Sequence, residues 1–252
     1  MDGITTQTWG DGPPDIVMLH DGLGSITQWG DVPARIAADT GATVMAYDRP
    51  GHGRSEPVPD GPWPTEWLRH NAELLDELLA QHGAEQPMLV GHSDGGSIAL
   101  LHAARSAAER PVSAVLSIAA HTFVEPICSG AIIDMRAKSD RLVTGLGRNH
   151  LHPTELFAAW SGVWVSDEFQ SWDVRSELSA ITAPTIVAQG TDDEYATDAM
   201  VYDTVAAIGD NATAHFIAGR GHLVHYEDPD PVVALAVDLW HRRDRAASTR
   251  PA

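Results

Sequence analysis

The chain has 252 residues, of which 43% are hydrophobic and 20% are charged, and a globular chain of this size buries an adequate core without disulfides or structural metal ions. Its single cysteine, Cys128, excludes both a disulfide framework and a zinc site built from cysteines. Acidic residues outnumber basic ones by 35 to 16, so the formal net charge of −19 opposes binding to nucleic acids and to anionic membrane surfaces.

No stretch of the sequence approaches the roughly 18 consecutive apolar residues of a membrane span. Residues 1–15 contain neither lysine nor arginine and no apolar run, which differs from the pattern of a secretory signal. We therefore expect a cytoplasmic protein with no membrane partner and no nucleic-acid partner. The sequence carries no prediction of the oligomeric state.

Short apolar runs bounded by glycine, proline or aspartate alternate with amphipathic stretches along most of the chain. The runs predict strands at residues 4–9, 16–19, 42–47, 88–90, 114–119, 185–188 and 212–218. Helical spacing of apolar residues predicts helices at residues 65–82, 94–110 and 231–243. Strands that alternate with helices are typical of a parallel sheet covered on both faces.

One region, residues 121–184, interrupts this alternation. It contains no convincing strand and instead predicts short helices at residues 125–138, 139–148 and 153–164. The region also holds three tryptophans, Trp160, Trp164 and Trp172. Two compatible interpretations follow: a helical insertion with its own small core, and a lid over a substrate pocket.

The sharpest local motif is Gly91-His92-Ser93-Asp94-Gly95, which follows a predicted buried strand and precedes a predicted helix. A serine in the pattern G-x-S-x-G between a strand and a helix sits on a strained turn, where glycines two positions to either side leave room for the backbone. The turn lifts the hydroxyl above the carboxyl edge of the sheet, at a helix N-terminus that favours developing negative charge. The motif therefore predicts Ser93 as a nucleophile.

A serine nucleophile requires a general base, and His222 is the candidate among 13 histidines. It follows the last predicted strand and precedes the last predicted helix, so its loop reaches the same edge of the sheet. His225 is the competitor, and His92, inside the turn, is expected to be structural. The base needs an orienting carboxylate, and the sixth predicted strand is followed by three adjacent acids at residues 192–194.

Together these motifs resemble the α/β-hydrolase superfamily over about residues 4–240. The order serine, acid, histidine along the chain is the order found in that fold. Three further motifs agree: HDGLGS at residues 20–25 resembles an oxyanion loop, DRPGHGRS at residues 48–55 matches the turn after the next strand, and GHLVHYEDP at residues 221–229 matches the terminal histidine motif.

The resemblance implies an α/β fold with a mostly parallel sheet of seven or eight strands and helices on both faces. Only one strand, at residues 4–9, precedes the strand at residues 16–19, which favours seven strands over eight. The core would comprise residues 1–121 and 181–252, and a small helical cap would comprise residues 122–180. We call this segment the cap.

The resemblance also implies the roles of individual residues. Family acids usually lie three residues after the glycine of the strand-end loop, which selects Asp193 over Asp192 and gives a catalytic triad of Ser93, Asp193 and His222. The oxyanion hole would use two backbone N–H groups. These belong to Gly22, with Leu23 as the alternative, and to Asp94.

Two acidic residues depart from the usual family pattern. Asp21 stands where the oxyanion loop usually has glycine, and Asp94 stands where relatives often carry an apolar residue. For the Asp94 carboxylate the sequence leaves two interpretations open. It caps the helix that begins there, or it faces the pocket and favours substrates with an amine or another hydrogen-bond donor near the acyl carbon.

The implied activity is that of a serine hydrolase that cleaves a small-molecule carboxylic ester, lactone or thioester through an acyl-serine intermediate. No motif implies a cofactor or a metal. Leu23, His121, Trp160 and Trp164 are expected to line the substrate pocket. The tryptophans of the cap, with Leu156, Phe157 and Ile127, favour an apolar or aromatic acyl group. Alternatives on the same triad are hydrolysis of a carbon–carbon bond and haloperoxidase-like perhydrolysis. A non-hydrolytic lyase or cyclase in a biosynthetic pathway, and a ligand sensor on the same fold, are further alternatives.

Overall fold

The computed structural model describes residues 3–56, 63–106 and 110–248. Its sheet has seven strands: β1 (Thr6–Trp9), β2 (Ile16–Leu19), β3 (Val44–Tyr47), β4 (Met88–His92), β5 (Ala114–Ile118), β6 (Thr185–Gly190) and β7 (Ala212–Ile217). Their order across the sheet is β1-β3-β2-β4-β5-β6-β7. Strand β1 is antiparallel to β3, and all other neighbouring strands are parallel. The mostly parallel sheet is confirmed, with seven strands in the described part of the chain.

Helices cover both faces of the sheet. They are α1 (Val32–Thr40), α2 (Trp67–Gln81), α3 (Asp94–Ser106), α4 (Pro126–Arg136), α5 (Ser139–Leu146), α6 (Pro153–Trp164), α7 (Asp198–Ile208), α8 (Val224–Glu227) and α9 (Pro229–Ser248). Short 3-10 helices occur at Ile26–Trp29, Phe169–Ser171 and Arg175–Ala180. Within the described residues, none of these helices is long and apolar enough to cross a membrane.

Side chains of each central strand alternate between two apolar cores. Val17 and Leu19 of β2 pack into the core that contains α2, α3 and the cap, whereas Ile16 and Met18 pack into the core of α1 and α9. Every residue of β2 to β6 is buried. This double burial explains why continuous apolar runs, rather than alternating ones, mark these strands in the sequence.

The predicted helices 65–82 and 231–243 correspond to α2 and α9. The predicted helix 94–110 corresponds to α3, and its residues 107–109 lie outside the described residues. Helices α1 and α7 were not predicted. Each is short and buries only three or four side chains, so their apolar periodicity is weak.

The cap lies between β5 and β6, and α4, α5 and α6 occupy its three predicted helical stretches. The two ends of the cap run side by side. Val174 N–H donates to Thr122 O at 2.8 Å, and Val124 N–H donates to Trp172 O at 3.2 Å. The chain therefore leaves the core and returns to it through two adjacent segments joined by backbone hydrogen bonds.

Candidate active site

Ser93 lies on the tight turn between β4 and α3, with a left-handed backbone φ of 52°. The turn demands glycine on both sides. A Cβ atom on Gly91 would lie 2.2 Å from Gly95 O, and a Cβ atom on Gly95 would lie 2.1 Å from Leu19 O. The backbone is therefore crowded on both sides of the serine, as the motif predicts, and the serine side chain projects from the carboxyl edge of the sheet.

Three side chains from separate loops form a hydrogen-bonded row at this edge. Ser93 Oγ lies 3.0 Å from His222 Nε2, and His222 Nδ1 lies 3.0 Å from both carboxylate oxygens of Asp193. Ser93 and His222 are 8% and 7% exposed, and the Asp193 side chain is fully buried. A ring protonated at Nδ1 donates to Asp193 and leaves Nε2 to accept the serine proton, which is the arrangement that activates a serine.

The charges of this row match that arrangement. Burial by itself would raise the pKa of Asp193, but the hydrogen bond and the charge of His222 hold that pKa below its usual value. Burial by itself would lower the pKa of His222, but Asp193 raises it above the ordinary value for histidine. The carboxylate therefore stays ionised and stabilises the protonated imidazole.

The neighbouring acids make different contacts. Glu194 Oε2 accepts the backbone N–H of His222 at 3.1 Å, and Glu227 Oε2 accepts the backbone N–H of Gly221 at 3.1 Å. Asp192 is exposed. Of the three adjacent acids at residues 192–194, Asp193 is the one that contacts the imidazole. Glu194 and Glu227 hold the loop that carries it, a role that the sequence did not reveal.

The loop after β2 presents the backbone N–H of Gly22 beside the serine turn. In the described part of the chain, neither this N–H nor that of Asp94 donates to a protein acceptor. Both N–H groups remain available to an oxyanion. This finding supports the sequence-based assignment of the oxyanion hole.

The peptide group between Asp21 and Gly22 is polarised by hydrogen-bond donors on its carbonyl oxygen. Its carbonyl, Asp21 O, lies 2.7 Å from Arg49 Nη2 and 2.8 Å from His20 Nδ1. The Arg49 guanidinium is fully buried and also donates to His20 O. A charged donor on the carbonyl of a peptide strengthens the N–H of the same peptide as a donor. Arg49 belongs to the DRPGHGRS motif, but its contact with the oxyanion loop was not predicted.

Two further histidines hold the same loop. His52 Nε2 lies 3.1 Å from Gly22 O, and His150 of the cap places Nε2 3.0 Å from Leu23 O. Burial lowers the pKa of His52 to about 3, so its ring is neutral at physiological pH. Leu23 N–H donates to Asp21 Oδ1 at 2.9 Å, which orients the loop from within.

The Asp94 carboxylate faces the cap. Its Oδ2 accepts a hydrogen bond of 2.9 Å from Trp160 Nε1. Among the described residues no backbone N–H donates to it, so it forms no capping hydrogen bond, although it lies in the first turn of α3. A Cβ atom on Gly22 would lie 2.1 Å from Trp160 Nε1 and 2.3 Å from Asp94 Oδ2. The pair therefore lies directly over the oxyanion loop. Burial raises the pKa of Asp94 to about 7, against the attraction of the Arg49 charge.

Aromatic rings connect the cap to the base. The His121 ring centroid lies 5.2 Å from the Trp164 ring and 6.1 Å from the His222 ring. Trp164 is 1% exposed and packs edge-on against Phe169 at 5.0 Å. Burial lowers the pKa of His121 to about 4, so this ring stays neutral. Trp164 thus contributes to the cap core, whereas Trp160 reaches the serine turn.

The remaining candidate histidines lie behind the base. His92 is fully buried, and its Nε2–H donates to the backbone carbonyl of His222 at 2.8 Å. His225 packs against the ring of Trp29 at a centroid distance of 4.8 Å. One potential ligand atom from each of Asp21, His92 and His225 lies within 4.8 Å of the others. In the part of the chain that the structure describes, these three residues could hold a metal ion.

Comparisons with known proteins agree with this architecture. The family model described as "Alpha/beta hydrolase family" matches residues 16–235. A non-heme haloperoxidase of Rhodococcus erythropolis is 25% identical over 249 residues, which cover 87% of this chain and 89% of that protein. A 2-hydroxy-6-oxo-6-phenylhexa-2,4-dienoate hydrolase of Comamonas testosteroni is 25% identical over 260 residues, which cover 90% of this chain and 88% of that protein.

A solved structure extends the comparison to three dimensions. The enol-lactonase from Burkholderia xenovorans LB400 superposes with a TM-score of 0.72 at 20% identity, over 94% of this chain and 95% of that chain. At this identity the likeness shows the fold alone.

Proposed function

The chain belongs to the alpha/beta hydrolase family, and from that premise we propose that it is a serine hydrolase cleaving a small-molecule carboxylic ester, lactone or thioester. The observation that carries the proposal is the hydrogen-bonded row of Ser93, His222 and Asp193, with both contacts of the imidazole at 3.0 Å. This geometry matches what nucleophilic acyl transfer requires of a nucleophile, a base and an orienting acid.

In the proposed mechanism, Ser93 Oγ attacks the acyl carbonyl carbon while its proton passes to His222 Nε2. The backbone N–H groups of Gly22 and Asp94 stabilise the oxyanion that forms. The leaving alcohol or thiol takes the proton from Nε2, and the acyl group remains on the serine. Water then donates a proton to His222 and attacks the acyl-serine. The acid is released, and the proton returns to Oγ.

Two residues would support these steps without touching the reacting atoms. Asp193 fixes the imidazole tautomer and stabilises the imidazolium formed in each half-reaction. Arg49 donates to the carbonyl of the Asp21–Gly22 peptide and so strengthens the Gly22 N–H as an oxyanion donor. We call Asp193 and Arg49 positioning residues for this reason.

The cap would set the substrate range. Trp160 reaches the serine turn through Asp94, and Phe157 packs against Trp160 at a ring-centroid distance of 6.5 Å. These faces suit an apolar or aromatic acyl group, while Leu23 and His121 would line the rest of the pocket. We retain the sequence-based expectation of a small-molecule substrate in the cytoplasm, with no nucleic-acid or membrane partner.

The test is covalent labelling combined with turnover. Wild type should give a burst of p-nitrophenol from an activated short-chain ester, and mass spectrometry should find one fluorophosphonate adduct on Ser93. Ser93→Ala, folded by circular dichroism, should give neither. A wild type that resists the fluorophosphonate and shows no burst would contradict the proposal and favour a ligand sensor or a non-hydrolytic enzyme.

A second candidate is hydrolysis of a carbon–carbon bond, because the Comamonas testosteroni relative matches this chain over 90% of its length. The two candidates differ in what the leaving group must be. An ester releases an alcohol, whereas a ring-cleavage product releases a carbon acid that must be protonated at carbon. Parallel assays on matched esters, thioesters, lactones and 2-hydroxy-6-oxo-dienoates, each with Ser93→Ala as control, distinguish them by the larger kcat/KM.

A further inference from the structure

A buried cluster lies behind the proposed active site, where three separate segments meet. Asp21 follows β2, His92 ends β4, and His225 lies in α8. Asp21 Oδ2 lies 3.6 Å from His92 Nδ1, and the two imidazole centroids lie 4.6 Å apart. One potential ligand atom from each residue lies within 4.8 Å of the others. No motif in the sequence links these residues, because the fold alone brings them together.

The hydrogen bond of His92 fixes which ring nitrogen faces the cluster. Its Nε2 lies 2.8 Å from the carbonyl oxygen of His222, and a carbonyl only accepts, so Nε2 carries the proton. In the neutral ring, Nδ1 then presents a lone pair toward Asp21 Oδ2, which is also an acceptor. A cation bound between these two atoms, which lie 3.6 Å apart, would satisfy both of them.

His225, the third residue of the cluster, also has a ring nitrogen without a hydrogen-bond partner in the described part of the chain. His225 Nδ1 and His92 Nδ1 are both buried without a hydrogen-bond partner among the described residues. A neutral imidazole nitrogen with a free lone pair is the form of histidine that ligates metals. Unpaired buried polar atoms are rare in folded proteins and call for an occupant.

We propose that Asp21, His92 and His225 bind one divalent transition-metal ion, with Zn²⁺ as the representative case. Two imidazole nitrogens and one carboxylate oxygen suit zinc and its neighbours, whereas Mg²⁺ and Ca²⁺ prefer sites made of oxygen ligands. The fourth position belongs to solvent. The Asp21 side chain is 12% exposed, so the cluster has an opening on that side.

Zinc binding would require the cluster to contract, because its three ligand atoms lie within 4.8 Å of one another. Zinc bonds of about 2.0–2.1 Å to N and O ligands in a tetrahedral site put ligand atoms about 3.4 Å apart. The Asp21–His92 pair is already within a few tenths of an ångström of that spacing. The supporting contacts are also in place: Leu23 N–H holds Asp21 Oδ1, and the His222 carbonyl holds His92 Nε2–H. Such outer contacts orient the ligands in most protein metal sites.

The site would join the loops that carry the proposed catalytic groups. Asp21 directly precedes Gly22, His92 directly precedes Ser93, and His225 follows the base by three residues. A bound ion would therefore stabilise the folded edge of the sheet as a unit. Because an ion that binds only the folded state raises its stability, the thermal midpoint reports binding independently of any activity.

The test uses tag-free, chelator-treated protein titrated with ZnCl₂ and CoCl₂ in a calorimeter. We expect one ion per chain, a raised thermal midpoint, and visible ligand-field bands from the Co²⁺ complex. Asp21→Asn and His225→Gln should each weaken binding at least about tenfold. His215→Asn, which changes an exposed histidine on β7, should leave binding unchanged. His222→Asn removes the base as a rival ligand and should retain the site.

X-ray absorption on the wild-type zinc complex keeps the test independent of variants that fail to fold, and it should show two imidazole ligands. An ordered water is the other occupant that would satisfy these atoms. Absence of Zn²⁺ and Co²⁺ binding would overturn the proposal. Binding that survives both Asp21→Asn and His225→Gln, or that is lost in His222→Asn, would also overturn it.

Discussion

The edge of the sheet and the cap above it are built on different physical principles. At the sheet edge, each proposed catalytic group is fixed by directional hydrogen bonds, such as the two 3.0 Å contacts of His222 with Ser93 and Asp193. In the cap, Trp160 and His150 each hydrogen-bond to the site, and the other nearby cap side chains, such as Phe157 and Trp164, pack through aromatic rings. Directional hydrogen bonds fix the positions of the reacting groups, whereas apolar packing determines the shape of the space beside them. We therefore expect catalytic reactivity to depend on the sheet edge and substrate selectivity to depend on the cap.

Removing the nucleophile or the base should have the largest effect. We expect Ser93→Ala and His222→Ala each to lower kcat by roughly four or more orders of magnitude, because either change removes the activated serine. Circular dichroism should show an unchanged fold. A near-native rate in Ser93→Ala on the physiological substrate would place the chemistry outside nucleophilic catalysis.

The acid should rank next. Asp193→Asn should lower kcat by as much as about four orders of magnitude, because the amide favours the wrong imidazole tautomer. Asp192→Asn is the matched control, since that side chain is exposed, and it should change kcat little. Glu194→Gln loses a charge but keeps an acceptor for the His222 N–H, so its loss should be intermediate. Equal losses in Asp192→Asn and Asp193→Asn would contradict the assignment.

The same pair predicts a pH dependence. His222 acts as a base only when neutral, and Asp193 raises its pKa above the ordinary value. The rate should therefore fall as the pH drops through a pKa above about 6.5. In Asp193→Asn the carboxylate that raises this pKa is absent, so the acidic limb of the kcat/KM profile should move to lower pH. An acidic limb that does not move in Asp193→Asn would show that a group other than His222 titrates there.

Asp94 connects the two regions and should act on stability. Its folded-state pKa is about 7, against 3.8 for the free group, so the folded protein binds more protons than the unfolded chain between these values. Stability should fall as the pH rises through this window. Asp94→Asn does not titrate and should gain, relative to wild type, on the order of 2–4 kcal/mol between pH 4 and pH 8. Urea unfolding measures this gain.

Parallel pH–stability curves for wild type and Asp94→Asn would show that the carboxylate stays charged in the folded protein. The same variant tests recognition. If the carboxylate faces the substrate, Asp94→Asn should lower the rate on a cationic amino-acid ester more than the rate on a matched neutral ester. Equal rates on both would leave Asp94 as a partner of Trp160 only.

Changes in the cap should have the smallest effect on reactivity. Trp160→Phe removes one hydrogen bond to Asp94, worth about 1 kcal/mol, and keeps most of the ring surface. The rate of fluorophosphonate labelling should change less than tenfold, while the preferred acyl chain length shifts. Trp164→Phe is the control inside the cap core and should lower stability instead. If neither variant changes the labelling rate or the substrate range, both tryptophans contribute only to packing.

The sequence predicted the parts of the molecule that local physics determines. Buried runs such as residues 16–19 and 114–119 marked strands because both faces are covered, and glycines around Ser93 marked the turn because nothing larger fits. Helix α6 was predicted at its observed bounds because proline begins it and apolar side chains recur at helical spacing. Helices α1 and α7 lack such a signal.

What the sequence could not predict depends on distant side chains that meet in space. The contact between Asp94 and Trp160 joins residues 66 positions apart, and no local pattern distinguishes it from a helix cap. The support that Arg49 gives to the oxyanion loop is equally non-local. The cluster of Asp21, His92 and His225 forms only when three segments are placed together in space, so the local motifs around each residue do not predict a shared site.

The insertion of the cap between β5 and β6 also bears on how the chain folds. The register Val115↔Thr185 pairs strands separated by the entire cap, so this pairing closes a long loop and contributes slow, non-local contacts to folding. Loop closure entropy grows only logarithmically with length, and doubling such a loop costs about 0.6 kcal/mol. The entropy of closing this loop therefore opposes a change in the length of the cap only weakly.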